Sequence, residues 1–144
     1  MKPMVYQHTR LHPYQVLYLG SYKKYVFFIL NMGTHPTAYI RIPESHPFFQ
    51  KHYIECNPSM DFFTFSENSL AFNNQLDTPV PEGWYLGFDH AHLGDWLGYW
   101  SDEENIRQGH RKYTTEEMVE ECKLTIVYLI GIKNKSVNKK HEKL

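Results

Sequence analysis

The sequence has only two cysteines and almost no net charge. Cys56 and Cys122 are not spaced as a C-x-x-C pair, which favours a reducing compartment over a secreted, disulfide-stabilised domain. The net charge of −1 produces no overall field that would attract nucleic acid or an anionic membrane. These absences disfavour a disulfide scaffold, and we expect no direct nucleic-acid binding.

Long apolar runs are absent as well. The longest, residues 25–30 and 124–132, are much shorter than the roughly 20 residues that a membrane-spanning helix needs. The N-terminus does not resemble a signal peptide, so we expect a soluble cytoplasmic protein with no membrane partner. The 144 residues fit one domain over residues 1–132, followed by a basic flexible tail over residues 133–144.

Aromatic residues, in contrast, are abundant: the chain has eleven Tyr, nine Phe and three Trp. Many of them lie in short runs with β-branched residues, a composition typical of strands. Two such runs, residues 15–19 and 25–31, flank a loop with a leading glycine over residues 20–24, which predicts a β-hairpin. Residues 37–43 alternate between apolar and polar, which predicts a half-buried strand. Its apolar face would hold Ala38, Ile40 and Ile42.

Two further strands, over residues 61–66 and 84–88, and a short helical turn over residues 44–49 are predicted from similar local signals. Thr114 and Glu117 have the spacing of a capping box, in which each side chain bonds the other residue's backbone amide. Apolar residues then recur at helical spacing, so we expect a helix of about four turns that lies on the sheet. The predicted fold class is α+β: a single domain with a mainly antiparallel β-sheet covered by a C-terminal α-helix.

Residues 87–96, GFDHAHLGDW, hold the strongest candidates for function. On a strand, His90 and His92 would project to one face, where they are placed to share a zinc ion. The metallo-hydrolase pattern H-x-H-x-D-H, however, requires Asp where Gly94 stands and His where Asp95 stands. We therefore expect no bound metal and no other cofactor.

Other catalytic patterns are missing too. The two-histidine phosphoesterases use a pair of H-x-[ST] elements, and this chain has one such element, at residues 35–37. Cys56 lies beside Asn57-Pro58 without an identifiable base, and no Gly-rich loop of the phosphate-binding kind is present. The sequence therefore assigns no residue a catalytic role.

What remains is a group of polar residues at the end of a predicted strand. Asp89 can accept from a hydroxyl, His92 can donate or accept near neutral pH, and Gly87 and Gly94 permit a ligand to approach the backbone closely. The same segment equally suits a turn, in which Asp89 and Asp95 satisfy backbone amides. The residues by themselves leave both interpretations open.

The order of several short elements resembles a family of small, mostly uncharacterised proteins encoded by tailed bacteriophages. Between residues 37 and 129 the chain has AYIRIP, SHPF, GWYLGFDHAHLGDW and EEMVEECKL. The family pattern runs G-Y-V-x-[IV]-P, H-P, H-G-G-[LI]-T-[FY], W-[WI]-G-F-D-x-A-H-x-G-D and then a Glu-rich helix with a Cys. Met60 stands where the family has the histidine of H-G-G, and His90 falls on a variable position. The matching positions include His46, Thr64, Asp89, His92 and Asp95.

The resemblance implies a phage accessory protein that acts in the host cytoplasm, where some small phage proteins bind or degrade nucleotide-type defence signals. We expect a homo-oligomer that binds and sequesters such a small nucleotide-type ligand without cleaving it. One alternative is a hydrolase or phosphodiesterase in which His92 and Asp89 supply acid/base chemistry. Another is an inhibitor that contacts a host defence protein through exposed aromatic residues. The predicted ligand-binding residues are His46, Thr64, Trp84, Asp89, His92, Asp95 and Trp96.

Overall fold

The computed structural model of the protein describes residues 13–31, 36–56, 62–89, 101–107, 109 and 113–142. These residues form a five-stranded antiparallel sheet packed against a long C-terminal helix, which confirms the predicted α+β class. The strands are β1 (Gln15–Tyr22), β2 (Tyr25–Asn31), β3 (Pro36–Ile42), β4 (Phe65–Asn68) and β5 (Trp84–Asp89). The helices are α1 (Asp102–Arg107) and α2 (Thr115–Glu142), with short 3-10 turns at Tyr53–Cys56, Ser69–Ala71 and Asn73–Gln75.

The predicted hairpin is confirmed, with a tighter turn than expected. Tyr22 pairs with Tyr25, so only Lys23 and Lys24 connect β1 to β2. Both lysines have positive φ, 49° and 71°, as a two-residue turn of the mirror-image type requires. This turn matches the right-handed twist of the flanking strands, which explains why β1 extends through the residues expected to form a loop.

The strand order β1-β2-β3-β5-β4 defines two ends of the sheet. All four neighbouring pairs are antiparallel. At one end, here called the Trp84 end, the first residues of β2 and β5 therefore lie beside the last residues of β3 and β4. The opposite end, the Asp89 end, holds the finishes of β2 and β5 and the start of β3.

One face of the sheet packs against α2. The alternation predicted for β3 is confirmed, because Ala38, Ile40 and Ile42 are all buried on this face. The helix covers them with a stripe at i, i+4, i+8 and i+11 spacing, which is the apolar face of an amphipathic helix. The stripe consists of Met118, Cys122, Ile126 and Leu129.

The other face is covered by the segment between β4 and β5. Phe28 lies at its centre, with ring centroids 4.7 Å from Tyr39 and 5.4 Å from Tyr85. Phe72, Leu76 and Val80 pack over these rings from the connecting segment. Some of the aromatic residues therefore build a second core, and the sheet has buried residues on both faces.

Three local expectations differ from the structure. Residues 44–49 form successive turns and not a helix. The Pro43 and His46 carbonyls each accept a hydrogen bond from the amide three residues later, but these bonds do not repeat from one residue to the next as they would in a helix. Strand β4 begins at Phe65 and not at residue 61. Helix α2 has 28 residues, about eight turns, and continues to Glu142 through the segment expected to be a flexible tail. That segment contains neither Pro nor Gly after Gly131, so no residue terminates the helix.

The start of α2 confirms the capping box. The Glu117 amide donates to the Thr114 hydroxyl and the Thr114 amide donates to the Glu117 carboxylate, both at 3.1 Å. Within the ranges that the structure describes, neither helix combines the length and the apolar character that crossing a bilayer requires.

Candidate functional site

Most of the GFDHAHLGDW segment lies outside the described residues, which end at Asp89 and resume at Ser101. The predictions for His92, Asp95 and Trp96, and the comparison with His90, therefore concern residues of which nothing structural is stated. Four of the predicted ligand-binding residues are described: His46, Thr64, Trp84 and Asp89.

Asp89 ends β5 beside two hydroxyl groups. It is opposite Thr37 in the register of β3 and β5, and the Thr37 hydroxyl donates to the Tyr39 hydroxyl at 3.2 Å. Burial raises the pKa of Tyr39, the hydrogen bond from Thr37 lowers it, and the negative charge of Asp89 raises it. In the described part of the chain, no group of three His, Cys, Asp or Glu side chains is arranged to hold a metal ion.

Gly87 does not serve the role predicted for it. A Cβ built on this buried glycine would lie 2.7 Å from the Cδ1 atom of Tyr39. The missing side chain therefore makes room for the Tyr39 ring, which packs across the strand pair onto the glycine backbone. The space beside Gly87 is filled by this ring and admits no ligand.

His46 is a buried, fully bonded histidine. It is 3% exposed; its Nε2 donates to the Leu129 carbonyl of α2 at 2.8 Å, and its Nδ1 accepts from the Phe48 amide at 3.0 Å. Burial lowers the pKa of the imidazole, and the bond to Leu129 partly offsets this. Both ring nitrogens are hydrogen-bonded to backbone groups, so His46 connects the turn at residues 43–50 to α2 and has no free nitrogen for a ligand.

The four described residues do not converge on one place. His46 lies on the α2 face, whereas strand alternation puts Asp89 on the aromatic face with Tyr85. Trp84 and Asp89 are the first and last residues of β5, about 17 Å apart at the usual rise per strand residue. Thr64 is exposed before β4, and its amide donates to the Gly87 carbonyl at 2.9 Å.

A cavity opens at the Trp84 end. Its volume is about 660 Å³, within the range of roughly 300–1,000 Å³ that is typical of small-molecule sites. The β1–β2 turn, the end of β3, the turn at residues 43–50 and the start of β5 form its walls. The side chains that line it include Lys24, Arg41, Glu44, Phe49, Glu82 and Trp84.

The Arg41 side chain packs against Gly83, and both residues line this cavity. A Cβ built on Gly83 would lie 2.5 Å from the Arg41 Nε atom and 3.1 Å from its Cγ, so the arginine stem rests on the glycine. Burial raises the pKa of the neighbouring Tyr85 phenol to about 12 in spite of the opposing effect of the Arg41 charge. The guanidinium itself belongs to an exposed residue and is available to an anion.

Two lining residues, Trp84 and Gln50, have features that are unusual for residues with a purely structural role. The Trp84 indole nitrogen is shielded from solvent and has no hydrogen-bond acceptor among the described residues, a state that typically costs about 1–3 kcal/mol. Gln50 adopts a positive φ of 59°, which is uncommon for residues other than Gly, Asn and Asp. Unsatisfied donors and such backbone angles cluster at functional sites.

The cysteines contribute no nucleophile. Cys56 and Cys122 are both free and buried. Burial raises the pKa of the Cys56 thiol to about 11 and that of Cys122 to about 12. Because the thiolate is the reactive form, neither side chain is activated at neutral pH.

Sequence reasoning missed the charged residues of the cavity, although it included Trp84. Arg41 is the last polar residue of an alternating strand, and Lys24 lies in a hairpin turn, which are two positions where exposed charges are ordinary. The strand register brings Arg41 to the cavity, because it aligns Arg41 with Tyr85 and Ile42 with Trp84.

Comparison of the chain with known protein families, with curated proteins and with solved structures finds no match.

Proposed function

We propose that this protein binds and sequesters a small nucleotide-type ligand, and that it acts as a phage accessory protein against a host defence signal. The cavity at the Trp84 end is the observation that carries the proposal. It combines an aromatic ring, Trp84, with two exposed cations, Lys24 and Arg41, in one concave space. Aromatic rings stack on bases, and arginine recognises phosphate through its planar donors.

The proposal favours binding over catalysis. A general acid or base must lie within hydrogen-bond reach of the reacting atom. Glu44, Glu82 and Lys24 can exchange protons, but all three are exposed, whereas catalytic acids and bases typically lie in partly buried surroundings. His46, whose turn forms one wall, has both ring nitrogens bonded to backbone groups. The alternative hydrolase would use His92 and Asp89, so it would work at the other end of the sheet.

The ligand's fate distinguishes binding from cleavage. Purified protein is mixed with cyclic nucleotides or ADP-ribose, passed through a desalting column, heated to denature it, and the supernatant is analysed by mass spectrometry. Intact nucleotide in the supernatant supports sequestration. Recovery of a hydrolysed product supports the phosphodiesterase, and no capture of any nucleotide contradicts both and leaves the inhibitor of a host protein.

Charge-matched variants locate the binding. Arg41→Gln removes the guanidinium from the cavity, whereas Arg107→Gln removes one from α1, where it pairs with Glu104. We expect Arg41→Gln to reduce capture strongly and Arg107→Gln to leave it unchanged. Equal loss in both variants would mean that capture depends on overall charge and not on this cavity.

The homo-oligomer that we also propose would form along β1. This edge strand has no charged residue between Gln15 and Tyr22, and its Leu17, Tyr18 and Leu19 are 36–41% exposed. Uncharged, apolar edge strands pair readily with a second copy. Analytical ultracentrifugation of Leu19→Lys should show a shift toward monomer, and an unchanged sedimentation profile would contradict this interface.

A further inference from the structure

The charged side chains that line the cavity balance one another. Lys24 and Arg41 contribute two positive charges, and Glu44 and Glu82 contribute two negative charges. In the described part of the chain, ion pairs join Glu104 to Arg107 and Glu120 to Lys123, but none joins these four residues. All four side chains are exposed, so each of the four charges acts on whatever enters the cavity.

Both carboxylates belong to residues near Arg41, one through the fold and the other along the chain. Arg41 rests on Gly83, the residue that directly follows Glu82. Glu44 is three residues after Arg41, where the turn at residues 43–50 begins. A phosphate that reaches the Arg41 guanidinium therefore enters the field of a carboxylate as well.

This charge pattern suits an anion with one charge and opposes an anion with several. A single negative charge is matched by a cation when it lies beside Arg41 or Lys24, in a lining whose four charges sum to zero. A nucleoside di- or triphosphate brings more negative charges than the two lining cations can match, and Glu44 and Glu82 repel the excess. Electrostatic selection of this kind works by repelling the wrong ligand as much as by attracting the right one.

We propose that the cavity prefers nucleotides with a single negative charge, a phosphodiester such as a cyclic mononucleotide, over nucleoside di- and triphosphates. Glu44 and Glu82 are the residues that determine this specificity. The inference rests on the proposed function, because it names the ligand class of the same cavity. The volume of about 660 Å³ accommodates such a ligand.

Isothermal titration calorimetry with cyclic AMP, cyclic GMP, ATP and GTP, at low and at physiological salt, tests the preference. The wild-type protein should bind the cyclic mononucleotides more tightly than the triphosphates. Glu44→Gln and Glu82→Gln should each raise triphosphate affinity by about three- to tenfold at low salt, with little change for the cyclic ligands. The effect should shrink with added salt, because exposed charges are screened.

Glu103→Gln is the matched control, since it makes the same charge change at an exposed position of α1. It should leave all four affinities unchanged. Triphosphate binding as tight as cyclic-nucleotide binding in the wild type would overturn the inference and leave the proposed function standing. So would a preference that persists in the Glu44→Gln, Glu82→Gln double variant. Failure of all four to bind while the protein captures ADP-ribose or another nucleotide would also overturn the inference, whereas no capture of any of these ligands would overturn the proposed function itself.

Discussion

Both ends of the sheet carry polar side chains, but these are hydrogen-bonded to each other at one end and do not pair with one another at the other. At the Asp89 end, the Thr37 and Tyr39 hydroxyls bond to each other next to the Asp89 carboxylate. At the Trp84 end, four charged residues line an open volume without pairing with one another. A ligand gains most from groups that are held in place but not yet satisfied. The comparison therefore favours the Trp84 end, although the conspicuous sequence motif points to the other.

The largest effect should come from the core that supports both ends. Ile126 is fully buried between α2 and the sheet, so Ile126→Ala should lower the free energy of unfolding by about 2–5 kcal/mol through lost burial and a cavity. Leu124→Ala, on the same helix but 71% exposed, should change it by less than about 0.5 kcal/mol. Urea denaturation measures both; equal midpoints for the two variants would contradict the packing of α2.

Binding variants decide directly between the two ends. Arg41→Gln removes a charged hydrogen-bond donor, which typically contributes about 1.5–3 kcal/mol, so the affinity for a captured nucleotide should fall roughly ten- to hundredfold. If the sequence motif holds the site instead, His92→Ala and Asp89→Ala should show that loss and His90→Ala should not. Calorimetry on the four variants gives the answer, and a loss confined to His92→Ala and Asp89→Ala would move the site to the Asp89 end.

A third variant perturbs the sheet beside the Asp89 end without touching the cavity lining. Gly87→Ala forces the Tyr39 ring away from its position 2.7 Å from the new Cβ, and such overpacking costs about 1–3 kcal/mol. Gly131→Ala, where a Cβ meets nothing within 4 Å, should instead be stabilising because alanine favours helix. Thermal unfolding of both variants checks this, and a Gly87→Ala protein as stable as the wild type would place the ring elsewhere.

A change of pH should loosen the wall of the cavity at the Trp84 end. Burial lowers the pKa of His46 in the folded protein, so the unfolded chain takes up the proton first. The stability that neutral His46 contributes is present above its ordinary pKa of about 6.5 and is lost as pH falls from there toward the folded-state pKa. Urea titrations across this pH window should show that the free energy of unfolding declines in the wild type and does not decline in His46→Gln. The same dependence on pH in both proteins would contradict a buried, neutral His46 ring.

Local patterns predicted the elements whose signals are contained within a few residues. The alternation of β3, the capping box of Thr114 and Glu117, and the apolar stripe of α2 all agree with the structure. The helix length did not follow from the stripe, because the sequence after Ile132 is polar and carries no terminating residue. The second core on the aromatic face was also missed, since it depends on how the segment between β4 and β5 folds back.

The candidate site shows the same limit more sharply. Composition singled out Trp84 but not its neighbours, because Lys24, Arg41 and Glu82 lie on three separate segments with ordinary surface chemistry. His46 carried a family-like motif, yet its environment assigns it to the bond with Leu129, 83 residues away along the chain. Neither relation leaves a periodic trace in the sequence.

The α+β class follows from local patterns alone, because the period of the apolar residues selects strand or helix within each segment and does not depend on distant residues. The local sequence also shows that the two cysteines lack C-x-x-C spacing, which disfavours a disulfide-stabilised scaffold. The tertiary structure was needed to show which polar groups are already hydrogen-bonded and where the described residues leave an open volume. The antiparallel register brings together the ends of segments that are far apart in the chain, and the packing of α2 and of the aromatic core then leaves volume beside Trp84.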